Sequence, residues 1–174
     1  MPVNVQTIEA PLTRDQLAAR WQALCSDPTF EDVAGKIELT EWGEILMSPV
    51  GKLHGLVAAS VAESLRQALG GRTMVEVGVA TAIGVRAPDV AWCSGAYLAA
   101  HPEDMPLSSA PEICVEIASA SNPLPKLREK AMAYIGAGAV AIDSLEGDRT
   151  YVGVPARPTS PPTSPRHLRG LRAD

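Results

Sequence analysis

The chain has 174 residues, 46% of them hydrophobic but only 4% aromatic, and a formal net charge of -5. That length holds one domain with a core of Ala, Val, Leu and Ile and leaves no room for a second, and no apolar run reaches the ~20 residues of a membrane span. Residues 151–174 carry four arginines against one aspartate, leaving -8 for residues 1–150, a balance that argues against tight nonspecific nucleic-acid binding and suits carboxylates gathered around a cation.

The first residues, with Asn4, Gln6 and Glu9, lack the basic start and apolar run of a signal peptide, so the expectation is a soluble, cytoplasmic chain. Thr13-Arg14-Asp15-Gln16 forms a capping box, and Leu17, Ala18, Trp21 and Leu24 follow at helical spacing, which predicts a helix to about Cys25. Gly35–Thr40 and Gly43–Met47 read as a hairpin around Glu41-Trp42. Glu38 alternates with Ile37 and Leu39, and the default for such a glutamate is solvent. A helix follows from His54 to Leu69, with Leu53, Val57, Val61, Leu65 and Leu69 as its stripe. His54 in its first turn suits a phosphate contact or the positioning of an acidic side chain, and equally a histidine satisfied by nearby backbone.

Thr73 to Ile83 alternates loosely and reads as one long strand; Arg86 beyond it suits an exposed loop arginine or a phosphate contact, and the former is the default. Pro88-Asp89-Val90-Ala91-Trp92-Cys93 is a short strand with Asp89 at its start. A polar connector runs from His101 to Ala110. Pro111 to Ile117 is a proline-bounded, largely apolar run, the pattern of a buried strand, and Glu116 interrupts it. After Asn122-Pro123, a helix from Lys126 to Ile135 carries Leu127, Ala131 and Tyr134 as its apolar stripe, with Lys130 among them and Pro125 at its start. Ala139–Ile142 and Thr150–Val154 read as strands. From Pro155 the composition turns to Pro, Ser, Thr and Arg, so residues 1–154 are expected to form a single domain and 155–174 a disordered tail.

Three charges thus fall where core residues belong: Asp89, Glu116 and Lys130. Unpaired buried charge costs several kcal/mol, so such groups are paired or bind metal. Taken singly, Asp89 caps a turn and Glu116 pairs with Lys130. Taken together on adjacent elements, they point to a shared metal site. Cys25, Cys93 and Cys114 have no zinc spacing, no GxGxxG or Walker loop is present, and no nucleophile elbow supports a serine or cysteine hydrolase.

The ordered set of Glu38-Leu39, Gly43-Glu44-Ile45-Leu46-Met47-Ser48-Pro49, His54, Arg86-Ala87-Pro88-Asp89-Val90, Pro111–Ser119, Lys130, Tyr134 and Gly138 resembles the Uma-two family of restriction-endonuclease-like proteins in the PD-(D/E)XK nuclease superfamily. The resemblance covers Leu12 to Val154. It implies an α/β (α+β) fold, a mixed β-sheet flanked by helices, and a Mg²⁺-dependent endonuclease hydrolysing DNA, with Mn²⁺ as a substitute ion. It also implies Asp89, Glu116 and the backbone carbonyl of Ile117 as metal ligands, Glu38 as a further acidic residue and His54 as an accessory. The superfamily lysine two residues after the second acid is replaced here by Ala118, and Lys130 on the following helix takes its place. Two competing expectations stand beside this one. The first is a catalytically silent module that binds nucleic acid or protein, and the second is a structural domain with a Glu116–Lys130 ion pair and no metal. A homodimer is expected where a basic cleft is needed for DNA.

Overall fold

The computed structural model describes residues 10–30, 35–118, 124–146 and 149–153; the tail expected at 155–174 lies outside them. Helix α1 spans Arg14–Cys25. Its capping box is complete, since the Thr13 hydroxyl accepts the Gln16 N–H while the Gln16 side chain accepts the Thr13 N–H at 2.9 Å. Leu17 and Trp21 on its inner face pack against Leu39 and Val85. Those two residues belong to a four-stranded antiparallel sheet made of β1 (Lys36–Thr40), β2 (Ile45–Ser48), β4 (Val79–Thr81) and β5 (Gly84–Arg86) in the order β2-β1-β5-β4. Gly84 makes the tight β4–β5 turn with φ +111°, and a Cβ there would lie 2.1 Å from the Leu39 carbonyl oxygen, so only glycine fits.

The second sheet contains β3 (Arg72–Met74), β6 (Val90–Cys93), β7 (Ile113–Ile117), β8 (Ala141–Glu146) and β9 (Arg149–Gly153), in the order β3-β6-β7-β8-β9. Its pairs are antiparallel except β7–β8, which are parallel and therefore need a crossover; helix α4 (Leu124–Gly136) supplies it, with Pro125 in its first turn. The sheet is thus mixed, as the family resemblance implied. Helix α2 (Lys52–Leu69) covers one face through Val61 and Leu65, which meet Val90, Ile113 and Val115. On the other face Tyr134 of α4 and Ala137 just beyond its end pack with Cys114 and with Val79 of the first sheet, so one core joins the two sheets.

Several expectations change. The long strand over Thr73–Ile83 is two strands in different sheets, β3 beside β6 and β4 beside β5. The chain crosses between them at Glu76, a non-glycine residue with φ 52°, whose N–H is held by the Pro88 carbonyl at 3.1 Å. The valines at 75, 77 and 79 mimicked one continuous strand, but Val75 lies outside both strands and is 60% exposed, while β4 is buried throughout. Leu53 does not join the α2 stripe and is 75% exposed, because the helix docks through its later turns. The strand expected at Ala139–Ile142 begins later and runs longer, as β8. A short helix, α3 (Gly95–Ala100), lies where none was expected; the Ser94 hydroxyl caps it by accepting the Tyr97 N–H.

Candidate active site

The two sheets meet over a cluster of buried charges. In β7, Ile113, Val115 and Ile117 are spaced by two, and Ile113 and Val115 pack toward α2; Glu116 has the opposite parity and shares the α4 side with Cys114. The β6–β7 register pairs Val90 with Val115, and one further step sets Asp89 opposite Glu116. The same alternation in β1 turns Ile37 and Leu39 toward α1 and leaves Lys36 and Glu38 on the other face. The β1–β5 register pairs Leu39 with Val85, so Arg86 lies opposite Glu38. Lys130 is one turn from Leu127 and one from Tyr134, on the buried side of α4.

All three carboxylates are nearly sealed from water: Glu38 is 6%, Asp89 2% and Glu116 1% exposed. Glu38 is therefore not the solvent-facing residue that its alternation suggested, and Arg86, 9% exposed, is not a loop arginine. The second sheet closes over the face of β1 that would otherwise meet water.

Each carboxylate is held by several partners. Asp89 Oδ2 accepts the Ile117 N–H at 2.6 Å. Its Oδ1 forms an ion pair with Lys36 and lies 3.3 Å from His54 Nε2. Glu116 Oε1 accepts the Tyr134 hydroxyl at 2.8 Å, Lys130 Nζ stands 3.3 Å from both of its oxygens, and Lys36 Nζ is 3.6 Å from Oε2. Glu38 Oε1 accepts the Ala87 N–H at 2.9 Å and pairs with Lys130 at 2.8 Å, while Arg86 Nη1 is 3.8 Å from Oε2. Arg86 Nε is buried without a hydrogen-bond partner.

Burial raises the Glu116 pKa above the usual carboxylate value, against the opposing pull of Lys36 and Lys130. Burial pulls Lys36 the other way, but Glu116, Asp89 and Glu38 outweigh it and hold the ammonium charged beyond its ordinary range. Tyr134 is pushed upward by burial and then by the Glu116 charge, so its phenol stays a donor.

The structure brings Asp89, Glu116, Lys130, Glu38 and His54 into one cluster. Ile117 joins through its backbone N–H, the group that faces Asp89. Lys36 is the member that sequence reasoning missed. Its signal is slight: a lysine two residues before Glu38 on the same face of a hairpin strand, a pattern equally expected of an exposed edge. Among the described residues no three His, Cys, Asp or Glu side chains gather around a single metal-sized position. Two carboxylates do converge, since Asp89 Oδ1 and Glu116 Oε2 both reach the Lys36 ammonium. Such an oxygen pair around a positive charge has the donor chemistry of a hard divalent cation.

A crystal structure of a putative nuclease belonging to DUF820 from Anabaena variabilis ATCC 29413 has the same fold, with a TM-score of 0.61 at 14% sequence identity, covering 85% of this chain and 82% of that one. No protein of curated function matches the sequence. Residues 21–141 match the model of the Uma2 family, described as "Putative restriction endonuclease". That match takes in well over half of the chain and every charged residue of the cluster, and the chain belongs to the Uma2 family.

Proposed function

We propose that this protein is a Mg²⁺-dependent endonuclease that hydrolyses DNA phosphodiester bonds, with Mn²⁺ able to substitute. The observation that carries this reading is the convergence of Asp89 and Glu116, from adjoining segments of one sheet, on a single cation position beside Lys130. Asp89 and Glu116 would hold the ion together with the backbone carbonyl of Ile117, and Mg²⁺ suits so small an oxygen set because it keeps several of its waters. When bound, the ion acidifies a water and neutralises charge on the phosphoryl oxygens.

The remaining roles belong to the chain itself. Lys130 orients the attacking water or stabilises the oxyanions that develop on the phosphate. Glu38, at 2.8 Å, holds the Lys130 ammonium in place, and His54 steadies Asp89 from the α2 side. The acidic body, -8 over residues 1–150, leaves DNA binding to a cleft shared by two copies, hence a homodimer.

A second reading, a catalytically silent module that keeps the fold to bind nucleic acid or protein, is favoured by one observation. The three carboxylates already have three internal cations, Lys36, Arg86 and Lys130. Nicking of supercoiled plasmid in Mg²⁺ or Mn²⁺ separates the two readings. The wild-type protein should cut, and Asp89→Asn and Lys130→Met should each lose about 10²-fold or more. Undiminished cutting by Asp89→Asn would overturn the site assignment. DNA retention without cutting by the wild type would favour the silent module.

A further inference from the structure

Of the cluster's cations, Lys36 and Arg86 have no task in the reading above, and of these two only Lys36 reaches the proposed metal ligands Asp89 and Glu116. It comes from β1 of the four-stranded sheet and is 7% exposed, whereas Asp89 and Glu116 belong to the five-stranded one. Its ammonium touches Asp89 Oδ1 and lies 3.6 Å from Glu116 Oε2. Lys130 spans Glu116 and Glu38, and Arg86 faces Glu38. Among the described residues, only Lys36 has its charge between Asp89 and Glu116.

Charge balance gives that position a consequence. Glu38, Asp89 and Glu116 are matched by Lys36, Arg86 and Lys130, so these six side chains are neutral together. A divalent cation added beside all three would leave two positive charges uncompensated in a space closed to water. It would also need the oxygens that the ammonium already occupies. Of the three cations, the Lys36 head is the one standing on that spot, and its flexible four-carbon stem lets the head withdraw while β1 keeps its pairing.

We propose that Lys36 is an internal counter-ion that fills the Asp89–Glu116 cation position and that a divalent metal must displace in order to bind. This rests on the metal reading of the site proposed above. It makes Lys36 a positioning residue: it keeps the two carboxylates aligned before the metal arrives and sets how much metal is needed.

The test uses the full chain and its Lys36→Met and Lys36→Gln variants, titrated with Mn²⁺ and Mg²⁺ by calorimetry and melted with and without metal. Each variant should bind metal at least tenfold tighter than the wild type. Metal-free Lys36→Met should melt below the wild type, with added Mn²⁺ restoring it. A mere change in local charge would also tighten binding, so a second measurement follows the displaced head in the wild type. Reductive methylation read by mass spectrometry should find Lys36 protected without metal and reactive with Mn²⁺, against exposed Lys126 as the reference. That measurement decides the matter if the variants do not fold. Equal or weaker binding by folded variants, or a Lys36 still protected in metal-saturated wild type, overturns the displacement. Absence of binding by wild type and variants alike overturns the metal reading beneath it instead.

Discussion

The two faces of β7 have the same burial and opposite chemistry. Toward α2, Val115 and Ile113 meet Val61, Leu65 and Val90 in an apolar contact. Toward α4, one residue away on the same strand, Glu116 is 1% exposed and surrounded by Lys36, Lys130 and Tyr134. The first face is what a strand buried on both sides ordinarily presents. The second places charge where hydrocarbon would stabilise the fold at least as well, since replacing buried ion pairs by apolar side chains is often neutral or stabilising. The contrast separates residues that hold the fold from residues whose chemistry lies elsewhere.

The largest effect is expected on the charged face. Lys130→Met removes a partner from both Glu38 and Glu116, and leaving buried carboxylates short of a cation should cost about 3–5 kcal/mol in denaturant unfolding. Pairing it with Glu38→Gln should recover part of that loss; no recovery would mean that the two residues do not share their charge. The apolar face is tested by Leu65→Ala, which should cost about 2–5 kcal/mol while leaving metal affinity of the folded protein unchanged. A change in affinity there would show that the two faces are not separable.

A subtler effect concerns pH. Because burial raises the folded-state pKa of Glu116, its protonated form is the one that folding favours. Its stabilising contribution is complete below the ordinary value of 4.5 and is lost as pH rises through the raised value. Glu116→Gln should therefore be at least as stable as the wild type at neutral pH, the difference closing on acidification. Thermal melts of both proteins over that range read the sign directly. A wild type that gains on the variant as pH rises would contradict it.

How much of this was legible in the sequence depended on contrast with the neighbouring residues. Glu116 stood out because Ile113, Val115 and Ile117 surround it, and Lys130 because Leu127 and Tyr134 do. The capping box at Thr13 and Gln16 was local and therefore readable. The burial of Lys36, Glu38 and Arg86 was not, because a charged residue alternating with apolar ones is the ordinary pattern of a half-exposed strand, and Glu38 entered the site only through the family resemblance. What buries them is a second sheet contributed by residues far along the chain. The crossing at Glu76 was hidden for a related reason, since the flanking segments are both apolar although they serve different sheets. Burial imposed by distant segments leaves no local signal.

The central claim is that Asp89 and Glu116 form one cation site, and calorimetric titration of Mg²⁺ and Mn²⁺ into the wild type, Asp89→Asn and Glu116→Gln tests it most directly. Binding by the wild type that is lost in each variant is the expected result. Binding that survives either substitution unchanged would contradict it.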